Sequence, residues 1–279
     1  MVIPNEVKLS EEFDLLDWAY DGYASLLNGS KEQFDAMTGN ESYYALHFDA
    51  NQYAGTENKF TDGIKKAAQT LYTNITNMLK RINEYFFGEG QKAAENAAEN
   101  ASEALDALGE VDGNTPIPED SSVRDPEALA TALQGGTEFN EVKDENSELG
   151  SAIDKVMTAV NKVKDCDTVA KLRAVYDEIR KAADSGVQAV SQSLRSTLSE
   201  ANSAASDLRN PKLPKDDDTA EVKAGIKQEN QEAVEKAKEE TKKARIIGGV
   251  RNKFVAVYNS LAKQSKTIKE QPAKSEFKG

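Results

Sequence analysis

The chain has 279 residues, of which 30% are charged and 38% hydrophobic, so we expect a soluble protein with a thin core. Its 48 acidic and 35 basic residues give a net charge of −13, which repels nucleic acid from the chain as a whole. The one cysteine excludes an intrachain disulfide, and neither a secretory signal peptide nor a membrane span is expected from the apolar runs.

Two amphipathic helices are predicted in the first 90 residues. The first begins at Ser10 as N-cap and ends at Asn28, and the second begins near Phe60. Apolar residues at steps of three and four predict one buried stripe on each helix. The first stripe comprises Phe13, Leu16, Tyr20, Tyr23 and Leu27, with Trp18 beside it. The second comprises Phe60, Ile64, Ala67 or Ala68, Leu71, Ile75, Met78, Ile82 and Tyr85. We expect the two helices to pair face to face, with a short helix KEQFDAM and the aromatic stretch NESYYALHFDANQYAG between them.

The middle of the chain has fewer large apolar residues. The run QKAAENAAENASEALDALG favours a helix but offers mostly alanine, so we expect a solvated surface or spacer helix. Residues 109–125 contain two prolines and several acids, which indicates a loop and the best domain boundary. The short helix PEALATALQ follows Asp125, ends at Gly135–Gly136, and leads into a polar connection up to Glu148.

The C-terminal half is predicted to be a helical hairpin followed by two further helical segments. The hairpin breaks at Asp165–Asp167 and is interrupted again at Asp184–Gly186. After a linker with two prolines, the segment from Thr219 to Arg245 is nearly all Glu, Lys, Gln and Ala, and we expect propensity rather than burial to stabilise it. Gly248–Gly249 is predicted to be a hinge before a basic amphipathic helix.

No alternating pattern predicts a strand, so the predicted fold is all-α, with helical bundles, long helical hairpins and polar linkers. We divide the chain into an aromatic-rich helical domain with the Ala/Glu helix, a linker with a short helix, a helical hairpin, and a segment with linker, charged helix and basic C-terminal helix. These are residues 1–110, 111–148, 149–206 and 207–279.

The residues that usually carry chemistry are scarce. His47 and Cys166 are the only histidine and the only cysteine, and they are too few for a typical zinc site and too far apart in sequence to be paired for nucleophilic catalysis. Asp165 and Asp167 disfavour a thiolate at Cys166, and no glycine-rich phosphate loop occurs. We therefore expect no enzyme, no catalytic or metal-binding residue and no cofactor.

The segments FDLLDWAYDGYASLLNG and IKKAAQTLYTNITNMLKRINEYFFGEG, with the Ala/Glu/Asn run after them, resemble small helical virion proteins of tailed bacteriophages, including internal head proteins. The resemblance implies a structural role in the virion or the host cytoplasm. It also implies a processing site, because prohead proteases cut after an aliphatic-x-Glu triplet, and Leu198-Ser199-Glu200 precedes Ala201.

Several partners are compatible with these patterns. Phe86 and Phe87 extend an apolar stripe around a helix end, where they either cap the chain's own bundle, which we favour, or anchor a partner.

In the tail, Phe254, Tyr258 and Leu261 share one face of the basic helix. That helix can pack on the acidic body of the chain, dock on another acidic protein, or bind DNA or an anionic membrane. Residues from Thr241 onward carry a charge of +8, which leaves −21 on the rest, so nucleic acid is expected only through the tail. The expected partners are other virion proteins, a second copy of the chain, or a host protein that an acidic binding module inhibits.

Overall fold

The computed structural model describes residues 4–28, 57–215 and 217–270. The predicted helix KEQFDAM, the aromatic stretch after it, and His47 lie outside the described residues.

The all-α prediction is confirmed. Within the described ranges the chain forms helices and connecting loops without a strand, and Pro116 and Thr168 make an isolated antiparallel bridge. No described helix combines the length and the apolar character that crossing a membrane requires. The α-helices are α1 (Pro4–Asn28), α2 (Glu57–Phe87), α3 (Glu89–Leu108), α4 (Glu127–Leu133), α5 (Thr137–Glu145), α6 (Ser147–Val160), α7 (Val169–Leu208) and α8 (Ala220–Glu270).

The chain divides into two units, and each is assembled from separated segments. Unit 1 comprises residues 1–84 and 196–244, and unit 2 comprises residues 85–195 and 245–279. The loop at residues 109–125 belongs to unit 2, so the contacts place no boundary there. In this loop the backbone N–H of Ile117 donates to Asp167 O (2.8 Å), and the buried Val123 adds apolar contact.

Unit 1 buries most of the predicted stripes of its first two helices, whereas Leu27 and Tyr85 are half-buried. From α1 and α2 the buried residues include Phe13, Leu16, Tyr20, Tyr23, Ile64, Leu71, Ile75, Met78 and Ile82. Because Tyr20 is buried, its hydroxyl needs a partner, and it donates to Ala237 O at 3.0 Å in α8, with Thr241 Oγ1 also at 3.0 Å. Burial raises the pKa of Tyr20, so the hydroxyl stays protonated and continues to donate this hydrogen bond.

The charged half of α8 is only partly solvated. Its first 14 residues are mostly exposed, as the prediction requires, but from Val234 onward one face is buried in unit 1. That face comprises Val234, Ala237, Thr241 and Ala244. Intrinsic helix propensity therefore stabilises only the first, exposed turns of α8 without the help of burial.

In unit 2, α3 is a packed helix, so the prediction of a solvated extension is wrong. Its buried face consists of Gly90, Ala94, Ala97, Ala101, Ala104, Leu105 and Leu108. Alanine repeating at steps of three and four forms a narrow smooth face, which lets another backbone approach closely. Arg173 of α7 donates from Nε to Leu105 O (3.2 Å) near the end of α3.

Two predicted interruptions are absent from the helices concerned. Helix α7 continues through Gly186, and α8 continues through Gly248 and Gly249. The polar connection before Glu148 is also wrong in part, because α5 forms there and buries Phe139 and Val142. In contrast, the break before α7 is confirmed: residues 161–168 leave the α-helix and include a 3₁₀ turn at Val163–Asp165.

Candidate functional site

The predicted processing triplet lies in the part of α7 that belongs to unit 1. Leu198 and Ala201 are buried there, whereas Ser199 and Glu200 face solvent. Helical hydrogen bonding continues through the triplet, and Asn202 Nδ2 also donates to Leu198 O at 2.8 Å. A protease needs its substrate in an extended form, so the Glu200–Ala201 bond is closed to cleavage while α7 is folded.

The predicted partner-contact residues all belong to unit 2, and four of the five are internal. Phe86, Phe254, Tyr258 and Leu261 each expose 1% or less of their surface. Tyr258 also donates its hydroxyl to Asp184 Oδ1 (2.7 Å) on α7. A side chain without exposed surface cannot contact a partner while the unit stays folded, so the folded unit does not offer these four residues to a partner.

Phe87 is half-buried and has its own contacts. Its ring meets the ring of Phe86 edge to face at a centroid distance of 4.8 Å, and the guanidinium of Arg195 lies 4.9 Å from its centroid. The favoured interpretation of the pair as an internal cap agrees with this placement.

The junction between α2 and α3 contains a buried arginine that the sequence analysis counted only as tail charge. Arg251 of α8 is 2% exposed, donates from Nη1 to Phe86 O, and stacks its guanidinium 3.4 Å from the ring centroid of Phe86. In an unbroken helix, Phe86 O would accept from the N–H of Gly90. The arginine therefore replaces a helical donor at the break.

Arg251 is costly to bury. Desolvation lowers its pKa to about 10, with an opposing effect of Tyr85, so the guanidinium remains charged at neutral pH. Within the described residues, Nε and Nη2 have no hydrogen-bond acceptor. A Cβ at Gly90 would overlap Nη2, so any larger residue there would force the guanidinium of Arg251 to shift.

Cys166 lies in the connection before α7 and is 3% exposed. Burial raises the pKa of its thiol, Asp165 and Asp167 raise it further, and Arg124 lowers it. The thiol donates to Lys162 O at 3.5 Å. These surroundings are those of a structural cysteine and do not favour a nucleophile.

A polar cleft of about 820 Å³ lies in unit 2 among α5, α6 and α7. Its lining mixes cations and anions that neutralise each other, as in the ion pair between Lys143 and Asp154 (2.7 Å). Among the described residues, no cluster of histidine, cysteine and carboxylate side chains could hold a metal ion. The cleft offers no particular ligand chemistry.

The apolar surface of unit 1 includes a pair that the sequence analysis did not single out. On α1, Leu15 is 57% exposed and Trp18 is 49% exposed, one helical turn apart. Beside Leu15 is a groove of about 290 Å³ between α1 and α2, lined by Leu15, Leu16, Asn74, Asn77, Met78 and Arg81. The signal in the sequence was the position of Trp18 outside the buried stripe, which leaves a large apolar ring facing solvent.

No protein-family model, no curated protein and no solved structure matches this chain.

Proposed function

We propose that this chain is a non-enzymatic structural protein of a tailed-phage virion, internal to the head or assembled on it, that works by docking other proteins on its helices. The observation that supports the docking role is the exposed pair Leu15 and Trp18 on α1, because neighbouring apolar side chains that face water form a patch on which another protein can bury surface, and a groove lies beside Leu15. The virion assignment rests on the resemblance of residues 13–29 and 64–90 to such proteins.

The folded structure limits the stage at which the chain could be processed. Leu198 and Ala201 are buried in α7, so a prohead protease can reach the bond after Glu200 only before unit 1 folds or when α7 opens locally. Processed chains would then be a product of assembly rather than of the free folded protein.

The test is mass spectrometry of purified virions and of the infected-cell lysate before assembly. Presence of the chain in particles supports the virion role, and a new terminus at Ala201 in particles but not in lysate supports processing during maturation. Abundance in the lysate with absence from particles would contradict the virion role.

A second candidate is an acidic binding module that inhibits or sequesters a host protein. It is favoured by the charge of −21 that precedes Thr241. Affinity for one basic host protein that falls steeply with salt concentration would support this candidate. Tight binding that salt leaves unchanged would contradict it.

A further inference from the structure

We propose that Tyr72, Glu229 and Asn230 of unit 1 form a recognition site for an extended basic peptide in which prolines flank a lysine. The chain's own segment 209–215, which we call the strap, occupies this site in the connection between α7 and α8. A segment of the same kind on another protein displaces the strap and binds in its place. The site is separate from the exposed apolar pair on α1, and the inference does not depend on the proposed virion role.

The carboxamide of Asn230 holds one residue of the strap by its backbone. The N–H of Lys212 donates to Asn230 Oδ1 at 3.2 Å, and Asn230 Nδ2 donates to Lys212 O at 2.7 Å. These two bonds reproduce the exchange by which a residue of a neighbouring strand pairs with an extended backbone. The pairing reads only the backbone, so an extended peptide of another chain with a free N–H at this position fits it equally well.

Side chains on both sides of this pairing select basic residues. Lys212 Nζ pairs with the carboxylate of Glu229, and the guanidinium of Arg209 lies 5.5 Å from the ring centroid of Tyr72 on α2. Arg209 and Lys212 are three residues apart, which is the period of a polyproline helix, so an extended strap presents both on one side. The occupant that the structure shows therefore has the chemistry Arg-x-Pro-Lys.

Two prolines prepare the strap for this pairing. Pro211 and Pro214 flank Lys212 and Leu213, and each disfavours helical backbone at the residue before it. Neither proline stands at the position of Lys212, whose N–H the site needs. A partner segment with prolines at the same positions is already extended and loses little conformational entropy on binding.

The strap is fastened by contacts at the surface. The side chains of Lys212 and Glu229 are 68% and 56% exposed, and an ion pair of this kind contributes little to stability. Helix α7 ends at Leu208 and α8 begins at Ala220, so displacing the strap requires no unfolding of either helix. A short tether supplies its own segment at an effective concentration of about millimolar, which a partner with additional contacts overcomes.

A different protein fits the site better than a second copy of the chain does. Exchange of straps between two copies replaces each contact by an identical one, and it still costs the entropy of association. In addition, the residues that precede Thr241 carry a charge of −21, which attracts a basic segment of another protein.

The experiment measures, by fluorescence anisotropy, how the full-length chain binds a labelled peptide of sequence RNPKLPK, which is the strap itself. The variant Lys212→Glu sets two carboxylates against each other and so loosens the strap, while the site residues stay unchanged. The variant Glu229→Lys loosens the strap in the same way and reverses the charge of the site. A second labelled peptide carries the change Lys212→Glu. Circular dichroism checks that each variant keeps the parent's helical content.

The two variants should prefer opposite peptides. We expect Lys212→Glu to bind the lysine peptide several-fold more tightly than the parent chain does, because its strap competes less, and Glu229→Lys to prefer the glutamate peptide. Adding Asn230→Leu to either variant should weaken binding about tenfold, because it removes both bonds to the peptide backbone. The matched control is Glu235→Lys, at an exposed glutamate six residues further along α8, which changes the net charge as much as Glu229→Lys does. It should leave the parent's preference for the lysine peptide unchanged.

Three results would overturn the proposal. The first is a Lys212→Glu chain that binds neither peptide saturably at millimolar concentration, because the strap would then be only a fastened loop. The second is a peptide preference that Glu229→Lys does not reverse, or an affinity that Asn230→Leu does not lower. The third is a dimer that the lysine peptide dissociates, which would make a second copy the occupant. None of these results depends on whether the chain is found in virions, so the two proposals can fail separately.

Discussion

Gly186→Ala is expected to destabilise unit 2, although alanine is the better helix former. Gly186 lies on α7 where Phe254 of α8 passes, and a Cβ at this position would overlap the ring. Phe254 is fully buried, so the ring cannot move aside cheaply. Replacing a helical glycine by alanine raises stability by about 1 kcal/mol through helix propensity. Overpacking a core lowers stability by about 1–3 kcal/mol. Because the buried ring cannot move aside, the cost of overpacking exceeds the gain in helix propensity, and the free energy of unfolding should fall by up to about 2 kcal/mol.

The matched control is Gly249→Ala on α8. A Cβ there meets no atom within 4 Å, and the residue is exposed inside a continuous helix. The same chemical change should therefore raise stability by about 0.5–1 kcal/mol. Urea titration of the full-length chain, followed by circular dichroism, compares the midpoints and slopes of the variants. We predict that Gly186→Ala and Gly249→Ala change stability with opposite signs. The sign of a stability change is less sensitive to deviations from two-state unfolding than an absolute free energy is.

A double-mutant cycle assigns the cost of Gly186→Ala to its cause. Phe254→Leu should cost stability alone but recover part of the loss when it is combined with Gly186→Ala, because the smaller side chain makes room for the new methyl group. If Gly186→Ala stabilises as much as Gly249→Ala, the close approach of α7 and α8 is refuted. If Gly249→Ala lowers stability, the helix through Gly248–Gly249 is refuted and the predicted hinge returns.

Three further predictions concern unit 2. Arg251→Met should leave the urea midpoint unchanged or raise it, because removing a buried charge with two unbonded nitrogens among the described residues offsets the loss of the hydrogen bond to Phe86 O. Arg251→Ala also leaves a cavity and should cost about 2–5 kcal/mol, and two equal losses would contradict this account. Ala101→Leu should cost about 1–3 kcal/mol, since Ala101 is fully buried, and a neutral result in the same titration would mean that α3 is solvated. Burial raises the pKa of Cys166, so in the folded chain its thiolate forms only at higher pH. The thiol should therefore react slowly with a thiol reagent at pH 8 in the folded chain and at least tenfold faster in the chain unfolded by urea. Equal rates would place the thiol at the surface.

Periodicity predicted the fold class and the buried faces of the main helices. Tyr20 and Tyr23 lie where the spacing of three and four residues placed them, because one amphipathic stripe is enough to orient a helix toward a core. The predictions that helices are interrupted at Gly186 and at Gly248–Gly249 were wrong. The helical preference of glycine is low by only about 1 kcal/mol, and packing within unit 2 overrides it at Gly186 and at Gly249.

The candidate site was harder to predict for a related reason. In the sequence, nothing distinguishes Arg251 from the surface cations of a basic tail. Only the tertiary structure brings it to Phe86 O, 165 positions away in the chain. Leu15 and Trp18 lie outside the buried stripe in the sequence, but that pattern alone does not show that α2 forms a groove beside them. Local spacing determines which face of a helix is apolar, and it carries no information about which neighbour meets that face.

The alanine face of α3 has a consequence for the entropy of folding. Alanine has no side-chain rotamers to lose, so burying Ala94, Ala97, Ala101 and Ala104 orders the backbone without the additional cost that Leu or Met would bring, which is up to about 1.5–2 kcal/mol for Met. A low share of large apolar residues is therefore compatible with a well-ordered interior. Every substitution on this face except glycine enlarges the side chain, so we expect natural variation there to be confined to glycine, alanine and serine.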